Sequence, residues 1–231
     1  MAIDKEVKKK VIEDWQNAFP QLTMYAQNKL YKIVGSCIIG IELIKSPHTE
    51  TYSPYFVIYS LCGNRMGNDI KACLAAPIVL RDFKNKKGFQ CDIPYDKHGM
   101  FFDDVLASIK KQIPLPFEGN ISFKKLTDVL DEYSKTPPLS AAPNSYLQAV
   151  LQEAKLKIAL SIRSEEAQNI LEQINKKSWD IKSFNLWNID MNKWLQSLKD
   201  IITNKGEFLE QIAANKREKK ILQLKSSYLT P

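Results

Sequence analysis

The spacing of apolar residues predicts one helix and then two buried strands near the start of the chain. Residues 3–18 carry apolar side chains at three- and four-residue steps, the spacing of an amphipathic helix, and Pro20 ends it. Residues 33–44 and 55–62 are nearly continuous runs of aliphatic, β-branched and aromatic residues. Such runs predict strands that are covered on both faces. Between the helix and the first of these runs, residues 21–31 predict at most a short helical turn.

Two weaker signals complete a mainly antiparallel sheet of about four strands. Residues 77–80 begin the third strand, and residues 88–93 form the fourth. Gly88 can adopt the left-handed conformation that closes the hairpin between them. A short helix is predicted at residues 66–75. The sheet is therefore expected to occupy residues 33–93.

After Pro94 the spacing returns to that of helices, so the predicted fold class is α+β with a helical C-terminal half. The three prolines of residues 136–145 predict a boundary between an α+β domain, residues 1–135, and a helical subdomain, residues 136–231. The alternative is that the helical part packs on the sheet as one domain. Residues 226–231 are predicted to be a loose tail. The predicted helices span residues 99–112, 121–134, 145–162, 165–177, 190–204 and 206–224.

Composition and charge indicate a globular protein without singling out a partner. The 231 residues are 44% hydrophobic and 26% charged, which is ordinary for a folded domain. The net charge of +7 is evenly spread, because residues 1–120 carry 16 basic against 13 acidic residues and residues 121–231 carry 17 against 13. A dedicated nucleic-acid binder usually concentrates its positive charge on one face or arm. The even distribution favours solubility as the reason for the charge.

The cysteines and the apolar runs favour a reducing, aqueous location. None of Cys37, Cys62, Cys73 and Cys91 belongs to a C-x-x-C pair, and buried free thiols are the favoured interpretation over zinc ligands or disulfides. No run approaches about 18 consecutive apolar residues, so no membrane-spanning helix is expected. The N-terminus has no apolar signal region. We therefore predict a cytoplasmic protein with no membrane partner and no cofactor.

Aromatic residues concentrate between two of the predicted helices. Trp179, Phe184, Trp187 and Trp194 lie within sixteen residues, around a predicted loop. Packing at the junction between the helices at residues 165–177 and 190–204 is the simpler interpretation. Such residues also dominate the energetics of protein interfaces, so this stretch is the strongest sequence indication of a binding surface.

Two basic clusters are candidate phosphate-binding sites. Lys84, Lys86 and Lys87 lie on the predicted hairpin between the third and fourth strands. Together the clusters could attract phosphate, although neither shows the interleaved aromatic residues of a single-strand binder. The second cluster lies late in a predicted helix whose acidic residues come early, and this order of charges also suits the helix dipole. The second cluster consists of Lys216, Arg217, Lys219 and Lys220.

Candidate catalytic groups are sparse, because His48 and His98 are the only histidines. A nucleophile arrangement of Cys91, His98 and Asp103 requires these residues to converge in space, and Cys91 has no local activating feature. A helix-capping cluster is the simpler interpretation of the acidic residues around His98. A magnesium or calcium site is the metal alternative. Its ligands would be His98, Asp96, Asp103 and Asp104.

Glu42 is an acid in an otherwise apolar predicted strand. Together with Lys45 it loosely resembles the strand acid and lysine of a metal-dependent nuclease, but residues three apart on a strand point to opposite faces. The favoured interpretations are a charge that blocks unwanted pairing at a sheet edge or a half-buried partner of a lysine. The carboxylates that a hydrolase would use are Glu42, Asp92, Asp96, Asp103 and Asp104.

These observations favour a non-enzymatic protein-binding module of an immunity, regulatory or adaptor type. The argument is mainly that the sequence contains no phosphate-binding loop, metal-ligand spacing or nucleophile motif. The first alternative is a nucleic-acid-associated protein that uses the lysine clusters. The second is a divergent metal-dependent hydrolase or nuclease.

Overall fold

The computed structural model describes residues 3–63, 74, 76–162 and 165–231. It confirms the α+β class, with an N-terminal helix, an antiparallel sheet and a helical C-terminal half. The helix predicted at residues 66–75 and Cys73 lie outside the described residues. The proposed boundary near residue 136 stays a prediction.

Five consecutive strands form an antiparallel meander, which two short strands extend, and two further short strands form a separate sheet. The meander consists of β1 (Thr23–Ala26), β2 (Lys29–Val34), β3 (Cys37–Lys45), β4 (Thr51–Ser60) and β5 (Val79–Asp82). The short strands are β6 (Ile93–Pro94), β7 (Ile121–Ser122), β8 (Ser226–Ser227) and β9 (Leu229–Thr230). β6 joins β4 in antiparallel pairing, whereas β8 runs parallel to β2 and β9 runs parallel to β7.

Most helices lie after the five-stranded meander in the chain. The helices are α1 (Lys5–Ala18), α2 (His98–Gln112), α3 (Phe123–Ser134), α4 (Tyr146–Ser161), α5 (Glu166–Lys176), α6 (Ile181–Leu186), α7 (Met191–Thr203), α8 (Lys205–Lys216) and α9 (Lys219–Leu222). Side chains cap several of these helices, as at α3, where the hydroxyl of Ser122 accepts from the backbone N–H of Lys125. In the described part of the chain, no helix is long and apolar enough to cross a membrane.

The predicted single strand at residues 33–44 is wrong, because the apolar run contains a hairpin. β2 ends at Val34 and β3 begins at Cys37, so the turn occupies only two residues. Gly35 takes a φ of 56°, a left-handed conformation that glycine adopts without steric penalty. Residues 21–31, predicted to form at most a helical turn, contribute β1 and the first half of β2. The meander therefore has five strands rather than four.

Other differences arise where short elements are held by tertiary contacts. In place of the strand predicted at residues 88–93 there is a Lys84–Gln90 bridge followed by β6. The helix predicted at residues 206–224 is divided into α8 and α9. The tail at residues 226–231 is not loose, because β8 pairs with β2, β9 pairs with β7 and Leu229 packs against Gly35.

Both faces of the sheet are covered, as the two-sided apolar strands predict. One face packs against α1 to α4 in the largest core, which contains Trp15, Ile41 and Phe56. The other face carries Tyr31, Val57 and Tyr59 and is partly covered by Ile221 of α9. A separate core joins α4, α5, α6, α7 and α8 and contains the buried members of the tryptophan stretch.

Candidate functional site

Three of the four aromatic residues in the tryptophan stretch are part of the helical core. Phe184 is fully buried, and Trp179 and Trp194 are 8% and 7% exposed. The two indoles meet edge to face with ring centroids 5.6 Å apart, and Phe184 lies 5.2 Å from Trp194. Both indole N–H groups are satisfied, Trp179 by the Ile174 carbonyl at 2.9 Å and Trp194 by Glu153 Oε2 at 2.6 Å. These three residues therefore act as a scaffold.

The short helix α6 is held rigidly on this scaffold. Its N-cap Asp180 accepts from the backbone N–H of Lys182, and the Asp180 N–H donates to the carbonyl of Asn144. The hydroxyl of Ser183 accepts from the backbone N–H at the start of α4. After α6 the chain turns at Asn188 with a φ of 54°, a conformation that asparagine tolerates better than most residues. A six-residue helix is thus fixed at both ends.

α6 and its C-cap residue expose three large apolar side chains. Leu186 is 84% exposed, Ile181 55% and Trp187 54%. The Trp187 ring rests on Tyr146 with centroids 5.9 Å apart. We call Ile181, Leu186 and Trp187 the α6 surface. Large apolar side chains that stay exposed on one short, anchored element are candidate anchors for a protein partner.

An open groove of about 570 Å³ adjoins the α6 surface. Its apolar lining comes from Ile181, Ile189 and Met191. Its carboxylate, Asp190, caps α7 by accepting from two backbone N–H groups. Within the described residues, no hydrogen bond engages the three asparagine side chains of the groove, which can therefore pair with peptide groups. These asparagines are Asn185, Asn188 and Asn192.

Sequence reasoning located the tryptophan stretch but did not find Leu186 and Ile181. The prediction placed a loop where α6 lies, because six residues are too few for an apolar period to be recognised. The one sequence feature that could have indicated α6 is Asp180, a residue type that favours helix N-caps, directly before the apolar Ile181. The structure places Trp187 alone of the four predicted aromatics on the surface.

The hairpin lysines are exposed, but two of them have acidic neighbours. Lys84 Nζ lies 2.6 Å from Asp82, and Lys86 Nζ lies 3.6 Å from Asp104. In the part of the chain that the structure describes, Lys87 has no ion-pair partner. Phe89 directly follows Gly88 in this hairpin and is 68% exposed, although the sequence pattern did not predict its exposure.

One member of the second basic cluster is partly buried, and another lies over an aromatic ring. Lys216 is half-buried, and burial lowers the pKa of its ammonium group, while the thiols of Cys62 and Cys37 lie close enough to affect it. Lys220 lies over the ring of Tyr25, 5.7 Å from its centroid. Arg217 and Lys219 are exposed. The cluster therefore presents fewer cations to solvent than its sequence suggests.

His98 is committed to a buried network rather than to Cys91 and Asp103. Its Nδ1 lies 2.7 Å from the Tyr52 hydroxyl, and its Nε2 lies 3.0 Å from Asp14 Oδ2. The Trp15 indole donates to the same hydroxyl at 3.1 Å. Because an indole can only donate, Tyr52 has its own proton for Nδ1, and the His98 Nε2 proton faces Asp14. The network links α1, β4 and α2.

The carboxylates proposed for a metal site are dispersed. Asp104 faces Lys86, and Asp92 accepts from the hydroxyl of Ser53. Asp96 and Asp103 are exposed. Among the residues that the structure describes, no group of three His, Cys, Asp or Glu side chains is arranged to hold a metal ion.

Glu42 is 6% exposed on the outer face of the sheet and is the partner of a lysine. Its Oε1 accepts from Lys29 Nζ at 3.1 Å, from the Tyr59 hydroxyl at 2.6 Å and from the Tyr31 hydroxyl. Gly40 lies opposite Tyr31 in the pairing of β2 with β3. The buried carboxylate is therefore compensated by three donors, as a buried charge requires.

The two phenols at Glu42 predict a specific alkaline sensitivity. Burial, and then the hydrogen bond to Glu42, raise the pKa of Tyr59 above its ordinary value of 10.0, and the pKa of Tyr31 is raised likewise. The contribution of the neutral phenols to the unfolding free energy is fully present below pH 10. It is lost as the pH rises further, by up to about 1.4 kcal/mol per pH unit for each phenol. We expect Tyr59→Phe to make the decline of the unfolding free energy above pH 10 shallower.

Urea unfolding at pH 8 and pH 11 measures this difference. Tyr228→Phe is the matched control, because Tyr228 is 78% exposed. The same pH dependence in Tyr59→Phe and the wild-type protein would show that the Glu42 phenols do not govern alkaline stability.

Comparisons with protein-family models, curated proteins and solved structures found no match to this chain.

Proposed function

We propose that this protein acts by binding another protein and that the α6 surface is the principal contact. The supporting observation is the exposure of Ile181, Leu186 and Trp187 on a helix whose position is fixed by buried aromatic residues. Preorganised apolar side chains lose little conformational freedom on binding, so more of their burial contributes to affinity. No catalytic step is part of this proposal.

The side chains that line the groove indicate which class of partner it would bind. The side-chain amides of Asn185, Asn188 and Asn192 both donate and accept hydrogen bonds, which suits main-chain amides better than phosphates. Two lysines directly follow groove-lining residues in the chain, Lys182 after Ile181 and Lys193 after Asn192, and their charges favour a partner with carboxylates nearby. The favoured partner therefore presents an apolar polypeptide segment flanked by acidic residues.

The two alternatives lack a comparable grouping of side chains. A nucleic-acid function would use lysines that stand beside Asp82 and Asp104 or are half-buried, as Lys216 is. A hydrolase would use carboxylates that lie on separate parts of the structure. Both remain predictions, but neither has an observation in its favour like that of the α6 surface.

Site-specific cross-linking can identify the partner and locate its contact. A photoreactive phenylalanine analogue in place of Trp187 is expected to form one dominant covalent adduct in source cells. The matched control carries the analogue in place of Leu222 on α9, which is 69% exposed and lies outside the α6 surface. The cross-linked partner is then purified for affinity measurement.

Trp187→Ala and Leu186→Ala are expected to weaken binding of that partner by tenfold or more, roughly the effect of removing an aromatic or aliphatic anchor from an interface. Calorimetric titration of the purified pair measures the change, with Leu222→Ala as the control. The proposal fails if cross-linking is equal at positions 187 and 222, or if both α6 variants bind as tightly as the wild-type protein.

A further inference from the structure

A cavity of about 310 Å³ lies between the lysine hairpin and α2. The hairpin and α2 are joined directly at this cavity. The side chain of Gln112 on α2 accepts from the backbone N–H of Lys84 and donates to the Lys84 carbonyl. The hydroxyl of Ser108 donates to the same carbonyl. The hairpin base is thus fixed on the helix, and the cavity has a defined shape.

The tip of the hairpin is also rigid. Asn85 Oδ1 accepts from the backbone N–H groups of Lys87 and Phe89, and the backbone N–H of Asn85 donates to the Phe89 carbonyl. Gly88 adopts a left-handed φ of 80°. This internal bonding fixes the backbone that carries Lys86 and Lys87 at the cavity mouth.

The cavity combines an apolar floor with a polar mouth. Cys91 and Val105 form the floor. Burial, with Asp92 and Asp82 nearby, raises the pKa of the Cys91 thiol, which therefore stays uncharged at neutral pH. Asn85, Lys86, Lys87, Asp104 and Ser108 form the rest of the lining.

The charges at the mouth favour an anion. The lining contains two lysines and one carboxylate, so its net charge is positive. The Lys86–Asp104 ion pair is weak because its side chains are 82% and 80% exposed. Lys86 can therefore turn to a ligand at little cost. Lys87 has no ion-pair partner within the described residues, and no hydrogen bond there engages the side-chain NH₂ of Asn85. Both can donate to a carboxylate.

We propose that this cavity binds a small carboxylate with an apolar body. The apolar part occupies the floor over Cys91 and Val105, and the carboxylate meets Lys86, Lys87 and the amide of Asn85. The volume lies at the lower end of the roughly 300–1,000 Å³ typical of ligand sites, so the ligand is small. A free monocarboxylate and the C-terminal residue of a peptide share this chemistry.

Titration of the protein with four probes tests the site. Hexanoate represents the free carboxylate, and hexylamine has a similar chain of opposite charge. An acetylated Gly-Gly-Leu peptide with a free C-terminus represents a chain end, and its C-terminal amide is the uncharged match. Amide chemical shifts in ¹⁵N-labelled protein report both affinity and location.

We expect saturable shifts confined to the hairpin and α2 with at least one carboxylate probe. Hexylamine and the amidated peptide are expected to bind more weakly by about tenfold, the effect of one charge-assisted hydrogen bond. Lys87→Gln combined with Lys86→Gln should weaken carboxylate binding similarly. Lys111→Gln, on α2 outside the cavity, should leave it unchanged.

The relative affinities of hexanoate and the free peptide distinguish a small-molecule ligand from a chain end. The proposal is overturned if neither carboxylate produces saturable shifts, or if charged and uncharged probes bind alike. It is also overturned if Lys111→Gln weakens binding as much as the paired lysine variant. None of these results depends on the α6 surface, so the two proposals can fail separately.

Discussion

Replacing Gly40 with alanine is expected to lower the free energy of unfolding by about 3 kcal/mol or more, the upper range for overpacking a tight site. A Cβ at this position would lie 2.0 Å from the Leu30 carbonyl oxygen and 2.8 Å from Cδ1 of Tyr31. The oxygen belongs to the backbone of the neighbouring strand and cannot rotate away. The substitution therefore has to separate β2 from β3 or displace Tyr31 from Glu42.

Chemical denaturation followed by tryptophan fluorescence measures this effect. Gly99→Ala is the matched control, because a Cβ on Gly99 meets no atom within 4 Å and the residue lies in α2. The control is expected to be neutral or to stabilise by up to about 1 kcal/mol, as alanine does in a helix. A Gly40→Ala protein as stable as the control would mean that β2 and β3 are less closely spaced than the structure indicates.

Replacing Phe184 with alanine is expected to destabilise the protein by about 3–5 kcal/mol, the usual range for removing a buried aromatic side chain. Phe184 contacts the rings of Tyr146, Trp179 and Trp194, so its loss leaves a cavity at the centre of the helical core. Phe184→Leu fills part of that space and should destabilise less. Urea unfolding of the two variants gives the comparison.

Trp187→Ala is the control that separates stability from binding. Because Trp187 is 54% exposed, its truncation is expected to change the unfolding free energy by less than about 1 kcal/mol. A Trp187→Ala variant as unstable as Phe184→Ala would contradict this division, since it would make Trp187 part of the core. In that case the α6 surface would no longer be available as a preorganised contact.

The longer helices were predictable from sequence to within a few residues, whereas α6 and the hairpin of β2 and β3 were not. A helix of twelve or more residues repeats its apolar positions often enough to be recognised. The hairpin turn, by contrast, is two residues inside one apolar run, and Gly35 is its only local signal. The pattern of buried strands still predicted the two covered faces correctly.

The polar networks could not be predicted, because they join distant parts of the chain. His98 pairs with Asp14, 84 residues earlier, while the acidic residues near it in sequence point elsewhere. Glu42 was recognised as unusual, and a lysine partner was among the expectations, but its two tyrosine donors depend on the strand register. The exposure of individual side chains could not be predicted either, because Trp187 and Trp194 are the same residue type and only the fold makes one exposed and the other buried.

The pairing of β8 with β2 imposes an order on folding. The edge of β2 at Ile33 and Val34 receives its partner from residues nearly two hundred positions later. Contacts of such long sequence separation form slowly, because the intervening chain has to be ordered first. During synthesis this edge emerges early and stays open until Ser226 and Ser227 have left the ribosome. The nascent sheet is therefore exposed to wrong strand pairing during that interval, and chaperone dependence is expected to be greatest there.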